Sequence, residues 1–186
     1  AVIECDEGAL RRVCDGLDPD VVLVTNVFRD QLDRYGEVMH TRDNILAGLK
    51  NSPHAHVLLN ADCSITASLA DEIDNEVSFY GVDCEIYPER VADLSDATHC
   101  IKCGAPYEYD YSTYAHLGGF RCPSCGYHRP DCEVAVEEIV ERGTNDCMLR
   151  MRVGDEVSTV RADVPADYDI YNCAAAVAAL TAFGLP

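Results

Sequence analysis

Four cysteines form two pairs whose spacing suits a single metal ion. Two residues separate the cysteines within each pair, and eighteen residues lie between the pairs. Each pair can form a tight turn that presents two thiolates, and two such turns complete a tetrahedral site for zinc. Gly104 and Gly126 each follow the second cysteine of a pair, where a positive φ lets the chain turn. The predicted zinc ligands are Cys100, Cys103, Cys122 and Cys125.

Redox-active CxxC pairs are the alternative for these cysteines. Such a pair normally lies at the N-terminus of a helix, and no helical pattern follows either pair. Four thiolates leave no position for an activated water, so the spacing predicts a structural zinc site and not a catalytic one. The other seven of the eleven cysteines lack metal-binding spacing and are expected to be small buried apolar residues.

Polar side chains also follow three apolar runs that are typical of buried strands. Glu4, Asp6 and Glu7 follow the opening of the chain, residues 25–33 follow Val21 to Val24, and Asn60 to Asp62 end the run from His56. Ligands of open parallel sheets bind beyond the carboxyl ends of strands, and these oxygens suit Mg²⁺ or a nucleotide. The alternative for Asp30, Asp33 and Asp62 is helix capping.

The elements that would position these groups alternate between strand and helix. Strands are predicted at the opening of the chain, before the acids of residues 4–7, and at residues 21–24, 56–60 and 77–81, with helices capped by Thr41 and by Ser64. This alternation predicts an α/β fold with a mostly parallel, doubly wound sheet. Three segments of alternating polarity from residue 131 onwards predict an antiparallel extension, and an alanine-rich helix is expected from Asp169 to Phe183.

The expected domain organisation is one interrupted α/β domain. Residues 96–130 break the strand and helix pattern and are predicted to be a zinc-ribbon insertion, which leaves residues 1–95 and 131–186 for the α/β domain. No phosphate-binding glycine loop occurs around Lys50 or Lys102, so a nucleotide's phosphate cradle would lie upstream of Ala1. The chain is thus expected to be part of a longer protein.

Composition excludes several classes of partner. The 186 residues carry 14 Lys+Arg against 33 Asp+Glu, a formal net charge of −19, which repels nucleic acid. No apolar stretch reaches the roughly 18 residues that span a bilayer, and the first residues lack the pattern of a signal peptide. The sequence therefore predicts a cytoplasmic protein that does not span the membrane and does not bind nucleic acid.

Four motifs together resemble the MurT branch of the Mur ligases. They are TNVFRDQLDRYGE (25–37), VLLNADC (57–63), the cysteine quartet within residues 100–130, and DIYNCAAAVAAL (169–180). The resemblance implies part of a central ATP-binding domain that carries a zinc ribbon. It further implies that ATP, with Mg²⁺, activates the D-glutamate of the lipid II stem peptide as an acyl phosphate. Ammonia from a GatD-like class I glutaminase would then give D-isoglutamine, at the inner face of the membrane.

The resemblance also implies roles for individual positions. Glu4 matches a glutamate that coordinates Mg²⁺, and Asn172 matches an asparagine that contacts the nucleotide base. The remaining positions implied to line the nucleotide cleft are Asn26, Asp30, Asn60 and Asp62. The alternative for Asn172 is a polar residue that merely opens a helix.

Other positions depart from the wider Mur ligase pattern. Gln31 replaces a metal-binding histidine, and Ile45 and Leu46 lie where amino-acid-adding ligases have a carbamylated lysine. Asp169 departs from the MurT branch itself, which commonly has an asparagine three residues before Asn172. The resemblance places no catalytic side chain within this chain, so the chain is expected to be inactive alone. A non-enzymatic module, with a zinc ribbon that docks a protein partner, is the alternative function.

Overall fold

The computed structural model describes residues 1–27, 35–86, 98–113 and 116–185. Asp30, Asp33 and Gln31 therefore lie outside the described residues. The helices are α1 (Leu10–Gly16), α2 (Tyr35–Lys50), α3 (Ser64–Ala67) and α4 (Tyr168–Ala182), with a 3₁₀ turn at Ser68–Glu72. The strands are β1 (Val21–Val24), β2 (His56–Asn60), β3 (Val77–Val82), β4 (Glu108–Ser112), β5 (Gly118–Arg121), β6 (Val134–Arg142), β7 (Asp146–Val153) and β8 (Glu156–Asp163).

A six-stranded mixed sheet forms the centre of the described structure. Its strand order is β1-β2-β3-β6-β7-β8, with parallel pairing from β1 to β6 and antiparallel pairing from β6 to β8. The predicted α/β fold, with a mostly parallel sheet and an antiparallel extension, is confirmed. Parallel strands require crossovers, which α2 supplies between β1 and β2 and α3 supplies between β2 and β3. The carboxyl ends of β1, β2 and β3 consequently lie at one edge of the sheet.

The core lies between the parallel strands and the long helices. Val57, Leu58 and Leu59 of β2 are at most 1% exposed, which explains their uninterrupted apolar run. Helix α4 packs across β3 and β6 through small residues such as Ala174 and Ala178, which allow the helix to approach the sheet closely. Its predicted end is confirmed, because Gly184 adopts a φ of 66° directly after the last turn.

Helix α2 is longer than its predicted N-cap at Thr41 indicated. It begins at Tyr35, and Val38, Ile45 and Leu49 bury one continuous face. These residues are seven and four positions apart, so all three project from the same side of a helix and the buried face continues past Thr41.

The helix predicted to start after Ser64 is also different. Ser64 is its first helical residue and makes no side-chain cap, because Cys63 occupies the capping position with extended φ and ψ of −98° and 108°. The predicted helix continues only to Ala67 before the chain tightens into the 3₁₀ turn.

The strand predicted at the opening of the chain does not form. Val2 and Ile3 are 102% and 59% exposed, and no strand of the described residues pairs with the free edge of β1. This short apolar run therefore makes no strand ladder within the described structure, and its exposed side chains gain little from burial.

The insertion predicted at residues 96–130 contains its own small sheet. Strands β4 and β5 form a two-stranded antiparallel hairpin separate from the central sheet. Tyr107 and Phe120 bury their rings with Cys100 and Cys122, and Ala67 of the α/β domain completes this cluster. The exact boundaries of the insertion stay a prediction. Among the described helices, none has the length and apolar character needed to cross a bilayer.

Candidate metal centre and strand-end site

The four predicted zinc ligands converge on one point. Their sulfur atoms all lie within 4.8 Å of one another. The Sγ atoms of Cys100 and Cys125 are 3.6 Å apart, and those of Cys103 and Cys122 are 3.5 Å apart. A tetrahedron with zinc–sulfur bonds of about 2.3 Å has edges of roughly 3.8 Å, so the sulfur positions fit zinc.

Both cysteine pairs have the same turn geometry. Gly104 and Gly126 have φ values of 75° and 78°, as predicted. In the first turn the Gly104 N–H donates to the Cys100 carbonyl over 2.8 Å, and in the second the Gly126 N–H donates to the Cys122 carbonyl over 3.0 Å. No helix begins within the described residues that follow either pair, up to β4 and β6, so the redox alternative lacks its structural context.

The local electrostatics favour a thiolate at one of the predicted zinc ligands. The backbone N–H of Cys125 points at the Cys122 sulfur and, with that of Ser124, lowers the pKa of Cys122 to about 6. At Cys125 the backbone N–H of Tyr127 acts to lower the thiol pKa, but desolvation and the other three cysteine sulfurs outweigh it and raise the pKa to about 12, so the protein alone favours a thiolate at Cys122 and not at Cys125. Zinc binds thiolates and not thiols, so a ligand that is already ionised near neutral pH lowers the proton cost of metal binding. A bound zinc ion would supply no open coordination position here and would act as a cross-link between the two turns.

At the strand ends, two predicted asparagines contact each other directly. The Asn60 amide at the end of β2 donates a 2.5 Å hydrogen bond to Asn26 Oδ1, two residues beyond β1. Asn60 is fully buried, and its Oδ1 accepts the backbone N–H of Asp62 at 2.9 Å. The strand β3 joins this arrangement through Tyr80, whose hydroxyl donates to the Val24 carbonyl at 3.0 Å. The structure therefore brings Asn26, Asn60 and Asp62 together.

Asp62 is a fully buried carboxylate with partners from three elements. Its Oδ2 accepts the Val82 N–H at 2.9 Å and the Tyr171 hydroxyl of α4 at 2.6 Å. Its Oδ1 accepts the Nε–H of Arg129, which follows the second cysteine pair. Burial raises the pKa of this carboxyl, while the Arg129 charge and these hydrogen bonds act in the opposite direction. In this structure both oxygens are thus engaged by the protein itself.

Arg129 is a site residue that sequence reasoning missed. Its guanidinium also pairs with Asp83 at 2.7 Å, and Asp83 pairs in turn with Arg152 at 3.1 Å. The Arg129 side chain is only 13% exposed. The motif CGYHRP offered no signal of this burial, because an arginine after a surface turn is usually solvated.

The remaining predicted residues lie at the edge of this arrangement or apart from it. Asn172 is exposed on the first turn of α4, directly after Tyr171, and its amide donates to Asp169 at 3.0 Å. Glu4 is exposed in the opening segment, and no hydrogen bond or ion pair within the described ranges joins it to the other predicted residues. A cavity of about 420 Å³ beside β1 is lined by Asn26 and by neighbours of Glu4, though not by Glu4 itself.

A buried thiol–imidazole pair adjoins the strand ends and was also missed. The sulfur of Cys63 lies 3.6 Å from Nε2 of His116, and both side chains are at most 2% exposed. Burial alone would raise the pKa of Cys63, but the His116 contact and the backbone N–H groups of Thr66 and Val27 outweigh it and lower the pKa to about 7. The pair joins the α/β domain to the loop of the insertion.

Solved structures identify the class of protein that shares this fold. A type C pseudomurein peptide ligase from Methanothermus fervidus superposes with a TM-score of 0.69 at 22% identity, covering 95% of this chain and 33% of the ligase. MurF from Acinetobacter baumannii gives a TM-score of 0.61 at 13% identity, covering 95% and 28% of the respective chains. The described fold is therefore that of a domain found in the Mur ligases.

Curated relatives narrow this class to one branch. The chain is 36% identical over 179 residues to the MurT subunit of the glutamine-hydrolysing lipid II isoglutaminyl synthase of Streptococcus pneumoniae. It is 30% identical over 185 residues to the MurT subunit of Staphylococcus aureus strain COL. The predicted resemblance to MurT is confirmed, since these alignments cover 96% and 100% of this chain. The chain spans only about 40% of the length of these relatives, and no protein-family model matches it.

Proposed function

We propose that this chain is part of the ATP-binding domain of a carbon–nitrogen ligase subunit that amidates lipid II. The observation that carries the proposal is the similarity to MurT subunits over nearly the whole chain. The proposed reaction converts the D-glutamate of the stem peptide to D-isoglutamine in peptidoglycan biosynthesis. The proposed partner is a GatD-like class I glutamine amidotransferase that supplies ammonia, in the cytoplasm at the inner face of the membrane.

The strand-end residues would hold the nucleotide. Asn26 and Asn60 lie at the carboxyl ends of adjacent parallel strands, which is where open α/β sheets bind ligands. Asn172 would contact the base from the first turn of α4, and Asp62 would fix the loop that carries Asn60. Asp30 and Glu4 are proposed on the resemblance alone, as a cleft residue and as a Mg²⁺ ligand. Glu4 would have to approach the strand ends to serve this role.

The chemistry calls for charge neutralisation more than for a nucleophile within this chain. A carboxylate is a poor electrophile, and transfer of a phosphoryl group to its oxygen creates a leaving group that ammonia displaces. Bound Mg²⁺ would neutralise the charge that develops on the phosphates. The residues of this chain would bind and orient the nucleotide, and the phosphate cradle and the amidation residues are proposed to lie elsewhere in the full protein. The chain alone is accordingly proposed to be inactive.

The alternative of a free protein-docking ribbon receives less support. Its aromatic side chains Tyr107 and Phe120 are at most 8% exposed and pack towards Ala67 of its own α/β domain. A docking module would be expected to leave an apolar surface free for its partner.

Amidation by the full protein tests the proposal. The full protein, its glutaminase partner, glutamine, ATP and lipid II should give amidated stem peptide, detected by mass spectrometry. Replacing Asn172 by Ala should raise the KM for ATP, and Glu4→Ala should lower kcat/KM by about tenfold or more. Asn51→Ala is the control, because Asn51 is exposed and contacts Asp15 and Arg11 away from the strand ends. Absence of amidation, or equal kinetics in all three variants, would contradict the proposal.

A further inference from the structure

The insertion is docked on the loop that carries the strand-end site. Its Gly118 N–H donates to the Asp62 carbonyl at 3.2 Å, and its Tyr127 hydroxyl donates to the Ser64 carbonyl at 3.1 Å. Its His116 contacts Cys63, and its predicted zinc ligands Cys100 and Cys122 share a buried apolar cluster with Ala67. The insertion therefore contacts or packs with four residues of this loop: Asp62, Cys63, Ser64 and Ala67.

The same loop fixes the groups proposed to bind nucleotide. The backbone N–H of Asp62 holds Asn60 Oδ1, and the amide of Asn60 holds Asn26. On the other side, Asp62 accepts the Tyr171 hydroxyl, and Tyr171 immediately precedes Asn172. Thr113 of the insertion also hydrogen-bonds the Tyr171 hydroxyl. A shift of Asp62 would thus displace the backbone N–H that holds Asn60, and through Asn60 also Asn26. It would also displace the carboxylate that holds Tyr171, the neighbour of Asn172.

Arg129 supplies the positive charge that stabilises the Asp62 carboxylate in its buried position. Asp62 has no exposed surface, and a buried carboxylate is stable in one position only when a cation and hydrogen-bond donors compensate for its lost hydration. Arg129 supplies that cation from a position four residues after Cys125. Its own backbone N–H donates to the Phe120 carbonyl at 2.9 Å, so its position depends on the fold of the insertion.

We propose that the insertion sets the geometry of the nucleotide site, with Arg129 as a positioning residue that acts through the buried Asp62. This rests on the proposed function, because the site it positions is the proposed nucleotide site. The insertion is then a structural part of ligand binding and not merely a stable appendage. Small displacements of binding groups are costly, since a shift of about 1 Å can cost 10²-fold in an enzyme reaction.

The test measures binding of a non-hydrolysable ATP analogue to the full protein in complex with its glutaminase partner. Isothermal titration calorimetry on Arg129→Met should show a Kd weakened on the order of tenfold. Zinc content, measured by elemental analysis, should stay unchanged, because Arg129 is not a ligand. In turnover, the KM for ATP should rise while kcat at saturating ATP changes far less. Arg121→Met is the matched control, since Arg121 lies on the same insertion but is half exposed and pairs with Glu108 and Asp110.

A second variant guards against simple misfolding of Arg129→Met. Tyr171→Phe keeps the buried ring and removes only the hydroxyl that Asp62 accepts, so it should also weaken the Kd. Because both residues act through Asp62, their effects in the double variant should be less than additive. Arg129→Lys should recover part of the affinity by restoring the charge.

Three results would overturn the proposal. One is a native Kd in both Arg129→Met and Tyr171→Phe while Asn172→Ala weakens binding. This result would refute the positioning role of Arg129 but would still support the proposed nucleotide site. Another is that the effects of Arg129→Met and Tyr171→Phe on the Kd are strictly additive in the double variant. If Asn26→Ala and Asn172→Ala also bind the analogue with native affinity, the proposed nucleotide site fails and this inference fails with it.

Discussion

Asp62 and Arg129 form a buried ion pair that ties the α/β domain to the cysteine-rich insertion. The two residues are 67 positions apart, and the carboxylate is fully buried while the arginine side chain is 13% exposed. Water screens such a pair poorly. Removal of one partner is therefore costly, because solvent cannot replace the lost charge.

Asp62→Asn should accordingly destabilise the protein by about 3 kcal/mol. With a neutral amide at position 62, Asp83 would be the remaining carboxylate partner of Arg129 while also pairing with Arg152, and the amide would present a donor towards groups that themselves donate. Urea denaturation of the zinc-loaded protein measures this loss. Asp71→Asn is the control: its ion pair with Lys102 is largely exposed and should contribute less than about 1 kcal/mol. Equal losses in the two variants would show that burial of the pair does not matter.

The cysteine quartet should bind one zinc ion, and the zinc content of the purified protein tests this. Protein purified without chelator should contain about one zinc ion per chain, and Cys103→Ser should lose it together with thermal stability. Removal of zinc by chelator should reproduce the stability loss, because the two turns then lose their common cross-link. Cys173→Ser is the control, since Cys173 lies on α4 far from the cysteine quartet in sequence. Retention of zinc in Cys103→Ser would refute the assigned ligand set.

The Cys63–His116 pair predicts a pH dependence of stability. The pKa of Cys63 is lowered to about 7, against 9.0 for an unperturbed thiol. Between these values the folded protein binds fewer protons at Cys63 than the unfolded chain does, so its contribution to stability rises from pH 7 to pH 9. As pH falls through 7, that contribution is lost.

The slope of unfolding free energy against pH checks this sign. Cys63→Ser should flatten the rise over that window compared with the native protein. Cys173→Ser should retain it, because burial raises the pKa of Cys173 instead of lowering it. Identical slopes for the native protein and Cys63→Ser would mean that the Cys63 thiolate contributes nothing.

Gly118 should be intolerant of any side chain. Its φ is 147°, and a Cβ would lie 2.4 Å from the Tyr111 carbonyl oxygen, which is backbone and cannot move aside. Gly118→Ala should therefore distort the β4–β5 hairpin and cost at least about 1 kcal/mol. Gly16→Ala is the control, because nothing lies within 4 Å of its added Cβ. Thermal unfolding of both variants compares them, and a native Tm for Gly118→Ala would contradict the described hairpin.

Sequence patterns predicted the elements that depend on residues close together in the chain. The apolar run from Val21 to Val24 predicts a strand, which forms, although Val21 and Leu23 on one face are only partly buried. The cysteine pairs predict two tight turns, which the positive φ values of Gly104 and Gly126 confirm. The prediction of an opening strand is wrong, since residues 1–3 are apolar but pair with no strand among the described residues, although one edge of β1 is free. Whether an apolar run forms a strand depends on a neighbour that its own residues do not reveal.

The candidate site was predictable only in part, for a related reason. Asn26 and Asn60 were expected together because parallel strands bring their carboxyl ends to one edge. Arg129 and His116 were not expected there, because the docking of an insertion on its host domain leaves no periodic pattern in either segment. Tyr171 was hidden within an alanine-rich helix, where an aromatic residue suggests the core and not a hydrogen bond to a buried acid.

The most direct measurement is a structure of the full protein with a non-hydrolysable ATP analogue and Mg²⁺. The nucleotide should lie beyond the carboxyl ends of β1 and β2, with its base within hydrogen-bonding distance of Asn172, and Asp62 should still pair with Arg129. A nucleotide bound elsewhere, out of reach of both Asn26 and Asn172, would contradict the proposed nucleotide site.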